Sequence, residues 1–449
     1  MKRFFSLLFA ALFLVLCLIP SLGLLITGGS GAAANQVLAP KPVLLKGEGQ
    51  LNGAWLEDLS RYVNDRFSLR QEAVTLWARL NARLLHSSVT DQVILGKDGW
   101  LYFSATLPDY TRTDPMTERE LWCAARRLWL LQEYAEAQGG QFLFTVAPNK
   151  NQLYPEGMPT LAVADGPTNT DALYRKLDEM GVSHLDLHAV FRAAGPERLY
   201  FNTDSHWNSR GAALAADAIL RALGRESAYF DGPFSYGTHL GDLYEMLYPV
   251  GTEMEPDQVY APGFTFEASS DNPNSISIST RSAAGEGTLL MYRDSFGRSL
   301  YPYLAESYSE AFFSRKNDYD PGALQPGGAL VIELVERNLR YLLDNAPTMP
   351  APARDAVLAE NAQMREEQLH FVLAKGGPEG YTVLRGDWTG FAPDDDSPIY
   401  IDTMLGLYEA LPGTEGFSLC LPEEAASGPI RVLFREGGVL LSLAGIPVA

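Results

Sequence analysis

The sequence predicts an α/β protein: a parallel sheet flanked by helices, preceded by an N-terminal membrane helix and followed by a small C-terminal β module. Three observations predict it. Strand-like and helix-like segments alternate from about residue 99 to 345, the signature of a parallel sheet covered on both faces. An uncharged run from Phe4 to Thr27 follows Lys2 and Arg3. After the proline-rich "APTMPAPA", short alternating strands separated by turn residues take over to the C-terminus.

The run behind Lys2 and Arg3 is long enough to cross a bilayer core as a helix, and the two basic residues place the N-terminus inside and the rest outside. A cleavable signal peptide has a shorter apolar core, which favours an uncleaved anchor, although the small residues "GAAANQ" that follow would permit cleavage. Either way the remainder works outside the cytoplasm. The expected organisation is an anchor and linker over residues 1–35, a helical lead-in over 36–98, the sheet domain over 99–345, and a helix plus small β module over 346–449.

Within the lead-in, Pro40 and Pro42 mark a linker. Apolar residues at helical spacing from Trp55 to Leu84 then predict one long helix or two. "VILGKDGWLYF" reads as a hairpin turning at Lys97-Asp98-Gly99. Thr117 and Glu120 form a capping box for a helix ending before Gly139. "QFLFTVAP" is a strand, a helix over about 171–180 stops at Gly181, and "VSHLDLH" is another strand. "SRGAALAADAILRALG" is a helix ending at Gly224. "GTLLMY" is a strand running through a sharp turn into the helix-like "SLYPYLAESY"; "EAFF" and "GALVIELV" are two more strands. One helix is expected over about 353–373, and strands at "SPIYID", "GFSLCLP" and "PIRVLFREGG".

Composition is that of a globular protein, 46% hydrophobic and 20% charged, with a formal net charge of -20. So acidic a chain offers no basic surface for phosphates, which excludes nucleic acid as a partner. Cys17, Cys123 and Cys420 show no CxxC spacing, so a metal or redox site is not expected and isolated thiols are. The clustered aspartates of "PDDDS" lack the spaced ligands of a calcium loop and read as a solvated turn. No Walker loop, GxGxxG or metal-ligand spacing is present, so no cofactor is expected.

Functional residues of open α/β sheets gather at the carboxyl ends of strands. Three segments fit: "TVAPNKNQLYPE", "YFNTDSHWN" and "LLMYRDSFGRSLYPYL". In the last, Ser295 sits on a turn from strand to helix, which exposes its hydroxyl beside free backbone N–H groups. A nucleophilic serine needs a base, and the base an orienting partner. Of the six histidines, His206 has the best surroundings, with Asp204 two positions away. His184 and His188 straddle Asp186 on a strand, and His86, His239 and His370 have no comparable setting.

"TDSHWN", "RDSFG" with "LYPYLAE" after it, "APNKNQLYPE", "GKDGWLYF" and "LVERNL" occur in one order over about residues 93–340. In that order they resemble the SGNH-hydrolase-like proteins of polysaccharide O-acetylation, the alginate O-acetyltransferase AlgJ/AlgX group and its DHHW relatives. The resemblance implies an SGNH-like fold with Ser295 as nucleophile, His206 as general base and Asp204 as its orienter. It further implies a polysaccharide acceptor and a multi-pass membrane-bound O-acyltransferase that supplies acetyl groups. The usual oxyanion donors have no clear match; Asn149, Lys150, Tyr154, Arg298 and Tyr301 are the candidates. Some members carry a carbohydrate-binding module where this chain has its β module.

The leading expectation is therefore an anchored extracytoplasmic polysaccharide O-acetyltransferase working through an acetyl-enzyme. A carbohydrate acetyl esterase would use the same three residues. A non-catalytic polysaccharide-binding or assembly protein is the third reading, and the intact Asp204, His206 and Ser295 count against it.

Overall fold

A computed structural model describes residues 2–27, 31, 38–260, 263–374 and 376–448. Lys2–Thr27 form one helix, with Phe4, Leu7, Phe9 and Phe13 exposed. Several of its side chains, Cys17 among them, and the expected cleavage region near Asn35 lie outside the described residues. Among the described residues no helix is long and apolar enough to cross a membrane. The lead-in contains two helices, Trp55–Arg66 and Arg70–Leu85, because Leu69 adopts a left-handed conformation (φ 63°) that no continuous helix accommodates.

Strands β1 (Val93–Leu95) and β2 (Leu101–Phe103) pair as the expected hairpin, with Asp98 and Gly99 both at positive φ in the turn. The main sheet uses β3 (Gln141–Ala147), β4 (His184–Leu185), β7 (Glu267–Ala268), β8 (Ser277–Arg281), β9 (Thr288–Tyr292), β10 (Glu310–Ser314) and β11 (Ala329–Val335), in the order β4-β3-β11-β9-β10-β8-β7. The first five are mutually parallel. The expectation of an all-parallel sheet is corrected at one edge, where β8 runs antiparallel to β10 and β7 antiparallel to β8. The β7–β8 link contains no crossover helix, and a short link permits only an antiparallel return. A separate pair, β5 (Ser235–His239) with β6 (Glu255–Val259), was not foreseen, because "SYGTH" and "EPDQV" carry no hydrophobic alternation.

Alternation along the central strands builds two cores. Leu143 and Ala147 of β3, with Val331 and Val335 of β11, face the helix Ser209–Ala222 and the turn after β9. Phe142, Phe144 and Val146, with Leu330 and Ile332, face the helices Glu118–Ala137 and Asn169–Met180. Burial on both faces explains why these strands read as continuous apolar runs. Each Leu, Val, Ile or Phe side chain so enclosed contributes about 1.5–3 kcal/mol. The capping box at Thr117 forms as expected. "VSHLDLH", in contrast, is strand only at His184–Leu185. Asp186 ends it by accepting the Ala189 N–H at 3.0 Å, which caps a helix, Leu187–Ala193, that carries His188.

The C-terminal region holds β12 (Ala353–Arg354), β13 (Gln363–Ala374), β14 (Tyr381–Asp387), β15 (Ile399–Thr403), β16 (Gly406–Pro412), β17 (Gly416–Pro422), β18 (Ile430–Glu436) and β19 (Val439–Val448). Their order is β12-β16-β15-β18-β19-β13-β14-β17, and a β16–β17 pairing closes the ring into a barrel. The helix expected over 353–373 is overturned. Leu369 and Phe371 of β13 point into the barrel core while β13 pairs with β19 and β14, and that tertiary pairing overrides the helix propensity of the Gln, Met and Glu residues. Cys123 and Cys420 are free and buried. The "PDDDS" turn is held by Asp394, whose carboxylate accepts the N–H groups of Gly437 and Gly438 at 2.7 and 2.8 Å.

Barrel and sheet meet along the helix Glu118–Ala137. Glu409, 1% exposed, lies between Arg126 (2.7 and 2.9 Å) and Arg354 (2.7 Å), and Arg354 also grips Glu133. Removing a carboxylate from between two arginines leaves uncompensated charge. Glu409→Ala is expected to lower stability by about 3 kcal/mol, at the lower end for a broken buried pair, because the arginines keep some solvent contact. Urea unfolding checks it: an unchanged midpoint would show that the three charges do not hold the junction.

Candidate active site

The stretch "YFNTDSHWN" forms a closed loop. Tyr200 and Trp207 bridge its two ends, and Asn208 closes it by accepting the Gly211 N–H at 2.9 Å, which caps the helix Ser209–Ala222. Lys150 fastens the loop from below, its Nζ donating to the carbonyls of Phe201, Asn202 and Asp204 at 3.2, 3.0 and 2.6 Å. Burial pushes that ammonium down to about 7 against the pull of Asp204, Asp242 and Glu255. Glu255 of β6 takes the N–H groups of Asn202 and Thr203 at 2.8 and 2.9 Å. The Trp207 indole packs edge-on against Phe296, and its Nε1 donates to Ser299 Oγ at 2.7 Å, joining this loop to the turn after β9.

That turn carries Ser295. Asp294 pins it: one carboxylate oxygen accepts the Phe296 N–H at 2.9 Å, and the other accepts the Val335 N–H at 2.8 Å and Asn338 Nδ2 at 2.9 Å. The turn is thus tied to the end of the neighbouring parallel strand, β11. Glu333, fully buried beneath it, accepts the Asp294 N–H at 3.3 Å, and burial raises its carboxyl well above the usual range. Gly297 has no room for a side chain, since a Cβ there would stand 2.5 Å from Arg293 Cβ and 2.8 Å from Glu333 Oε2.

The two loops bring Asp204, His206 and Ser295 into one hydrogen-bonded line. His206 Nε2 lies 2.9 Å from Ser295 Oγ, and His206 Nδ1 lies 2.7 Å from Asp204 Oδ1. Asp204 Oδ1 also accepts the His206 backbone N–H at 2.8 Å. Asp204 is 1% exposed; burial alone would raise its carboxyl, but hydrogen bonds from His206 and His239 hold it well below its usual range. A serine, an imidazole and a buried carboxylate placed this way are equipped for nucleophilic acyl chemistry.

Two further groups converge from a segment that local reading passed over. His239, at the end of β5, stacks on Phe201 and sets Nε2 2.7 Å from Asp204 Oδ2. The reading that His239 lacks a comparable setting is corrected, since its partner lies 35 positions earlier in the chain. Asp242 opens the helix Asp242–Leu247. It donates its N–H to Asp204 Oδ2 at 3.0 Å, accepts from Ser205 N and Oγ at 2.7 and 2.6 Å, and places Oδ2 3.3 Å from His206 Nδ1. Asp204, His206 and Asp242 also form a cluster tight enough to hold a metal ion, though each is engaged in these hydrogen bonds.

The other candidates are placed differently. Asn149 is fully buried in a second network, donating to Asp109 at 3.2 Å and, through its N–H, to Glu336 at 2.6 Å. Tyr154 accepts the Leu199 N–H at 2.8 Å and supports the loop. Tyr301 packs in the core against Phe313 and Phe266. Arg298 is half-buried; its N–H donates to the Ser295 carbonyl at 3.4 Å, and its side chain makes no hydrogen bond among the described residues. Arg337, from the quoted "LVERNL", was not singled out. Its guanidinium lies over Phe103 and Phe296 at 5.4 and 5.5 Å, and burial lowers its pKa against the opposing charges of Asp294 and Asp242.

Sequence comparison matches the part of this region that holds the Asp-x-His loop. Residues 93–269 match the family model described as SGNH hydrolase-like domain, acetyltransferase AlgX. The chain is 27% identical over 212 residues to a protein of Pseudomonas syringae pv. tomato named "Probable alginate O-acetylase AlgJ", covering 44% of this chain and 51% of the relative. It is 24% identical over 203 residues to the protein of the same name from Pseudomonas fluorescens, covering 43% and 50%. The chain therefore spans about half the length of the curated relatives it matches. Among solved structures it is similar to Bacillus cereus PatB1, at a TM-score of 0.44 and 18% identity, covering 56% of this chain and 98% of that one. The AlgJ/AlgX-like SGNH-hydrolase-like resemblance read from the sequence motifs holds.

Burial would lower the His206 pKa, but the hydrogen bonds of Asp204 and Asp242 outweigh it and raise the imidazole above its ordinary value of about 6.5. A raised folded-state value means that protonated His206 adds stability below about pH 6.5, and that this is lost as pH rises through the folded value. NMR titration of the imidazole is expected to give a midpoint above 6.5, and Asp242→Asn to bring it down. An unmoved midpoint in the variant would remove Asp242 from the site's electrostatics.

Proposed function

We propose that this chain is an extracytoplasmic polysaccharide O-acetyltransferase that works through an acetyl-serine intermediate. The observation that carries the reading is the line Asp204–His206–Ser295, whose Asp204 and His206 lie within the segment, residues 93–269, that matches an AlgX-type acetyltransferase domain. Ser295 Oγ attacks the carbonyl carbon of an acetyl ester while His206 Nε2 takes the hydroxyl proton, and Asp204 holds the resulting imidazolium. The proton passes to the departing alkoxide, leaving acetyl on Ser295. A sugar hydroxyl of the acceptor then gives its proton to His206 and attacks the acetyl carbonyl. Collapse returns the proton to Ser295 and releases the acetylated polysaccharide. The Ser295 N–H, which has no acceptor among the described residues, is the donor assigned to the developing oxyanion.

The reading includes the N-terminal helix as an uncleaved anchor, supported by the charge-free run behind Lys2 and Arg3. Outside the cytoplasm the acetyl group must be delivered across the membrane, and a multi-pass membrane-bound O-acyltransferase is the partner proposed for that step.

Incubation with a chromogenic acetyl ester is expected to make the peptide containing "RDSFGR" heavier by one acetyl group. Ser295→Ala should abolish both adduct and turnover, and His206→Ala should slow acetyl release by about 10⁴-fold or more. Asp204→Ala should retain a residual rate, because orientation is only part of the base's work. Full acetyl release by Ser295→Ala would end the acetyl-serine reading. Release that an oligosaccharide acceptor fails to accelerate would mark an esterase instead.

Carbonate extraction of membranes is expected to leave the chain in the pellet. A soluble product beginning near Asn35 would show a cleaved signal.

A further inference from the structure

We propose that the helix Arg70–Leu85 lies along the lipid–water interface of a bilayer carrying anionic lipid, resting an apolar stripe on it. The proposal rests on the anchoring reading above and adds a second, separate membrane contact. The helix is apolar on two faces. One face is internal: Thr75 and Ala78 are buried beside Leu243, Tyr244 and Leu247, on the helix whose first residue is Asp242. The other face points outward. Leu76, Trp77, Leu80 and Leu84 recur at helical spacing after the exposed Leu69, with Trp77 60% and Leu84 73% exposed. A water-facing helix surface normally carries polar residues, and a continuous apolar stripe marks a contact.

Two observations choose the bilayer as occupant. The stripe begins where the N-terminal apolar helix ends: a Cβ added at Gly23 would collide with Ser68, and Gln71 Nε2 donates to the Gly31 carbonyl at 2.6 Å. A bilayer holding the apolar run therefore has its surface beside the start of the stripe, which is about 24 Å long. The charges agree. The helix carries Arg70, Arg79 and Arg83 against one acidic residue, Glu72, in a chain of net charge -20; Arg79 pairs with Glu253 at 3.4 Å, so Arg70 and Arg83 are the two offered to headgroups. Apolar residues with aromatic and basic neighbours on one short helix are the composition of an interfacial helix, and its arginines favour anionic headgroups. Because the inner face is packed against the domain, the stripe is a fixed part of the body. It sets the orientation of Asp242, and hence of the site, relative to the membrane.

The test uses the full chain with Cys17→Ser and a nitroxide on Leu76→Cys, Leu80→Cys or Leu84→Cys; Cys123 and Cys420 are buried and escape labelling. The control is Met404→Cys, on a barrel turn and 75% exposed. The protein is reconstituted in vesicles of phosphatidylglycerol with phosphatidylcholine. Power saturation is expected to give an oxygen-to-nickel accessibility ratio several-fold higher at the three stripe positions than at the control, falling when phosphatidylcholine is the only lipid. A ratio equal to the control in protein that still floats with the vesicles overturns the stripe contact and leaves the anchor standing. Labels immobilised and shielded from both reagents would mean that a second copy or another protein covers the stripe, which also overturns the proposal. A ratio indifferent to lipid charge overturns the anionic preference, and protein that fails to float overturns anchor and stripe together.

Discussion

Everything around the site is arranged to satisfy one buried carboxylate. Asp204 has almost no contact with solvent, and an ionised carboxylate in that position costs several kcal/mol unless each oxygen is paired. Its two oxygens receive the His206 N–H, an imidazole on each side and the Asp242 N–H. The donors come from different parts of the chain: the loop before the helix Ser209–Ala222, the end of β5, and the first turn of the helix Asp242–Leu247. Removing any of these segments would leave the charge under-paired. Residues 235–259, polar and weakly patterned apart from Leu243, Tyr244 and Leu247, supply two of those donors, His239 and the Asp242 N–H.

The sheet supplies the other half of the geometry. Ser295 leaves β9, and its position is fixed by Asp294 reaching across to the end of β11. Because these strands are parallel and adjacent, their carboxyl ends lie together, and one side chain can span them. Glu333 stands below, its carboxyl raised by burial and by the neighbouring Asp294. The imidazole then bridges the two loops, and both His206 and Trp207 of one rest on the ring of Phe296 from the other.

Much of this was legible in the sequence because its signals are local. Asp204 and His206 are neighbours on one turn, Ser295 follows an apolar strand, and the capping box at Thr117 is complete within four residues. The rest depends on partners far along the chain. His239 gains meaning only from Asp204, and Asp242 only from Ser205 and His206. Asn149 and Lys150 were noticed for their chemistry, but their roles follow from burial, which no short motif encodes. Residues 363–374 have the composition of a helix, and only the barrel's closure makes them a strand. The β7–β8 edge is antiparallel for a topological reason, the length of a link, that hydrophobic pattern does not carry.

The junction between sheet and barrel shows that the composition change near residue 346 is a boundary along the chain and not one in energy. Leu411 of β16 is part of the same core as Leu128, Phe144 and Ile332. Arg127, itself buried, donates to the carbonyl of Pro412 on one side and of Leu342 on the other, and Arg119 donates to Asp394, Asp395 and Ser397. A protein cut at the proline-rich stretch would open an apolar gap where Leu411 sat, strip the Arg119 guanidinium of its carbonyl acceptors and take the Pro412 carbonyl from Arg127. Dissection of this molecule into parts, or exchange of its barrel for that of a relative, therefore has to carry the facing surface of the helix Glu118–Ala137 along with it.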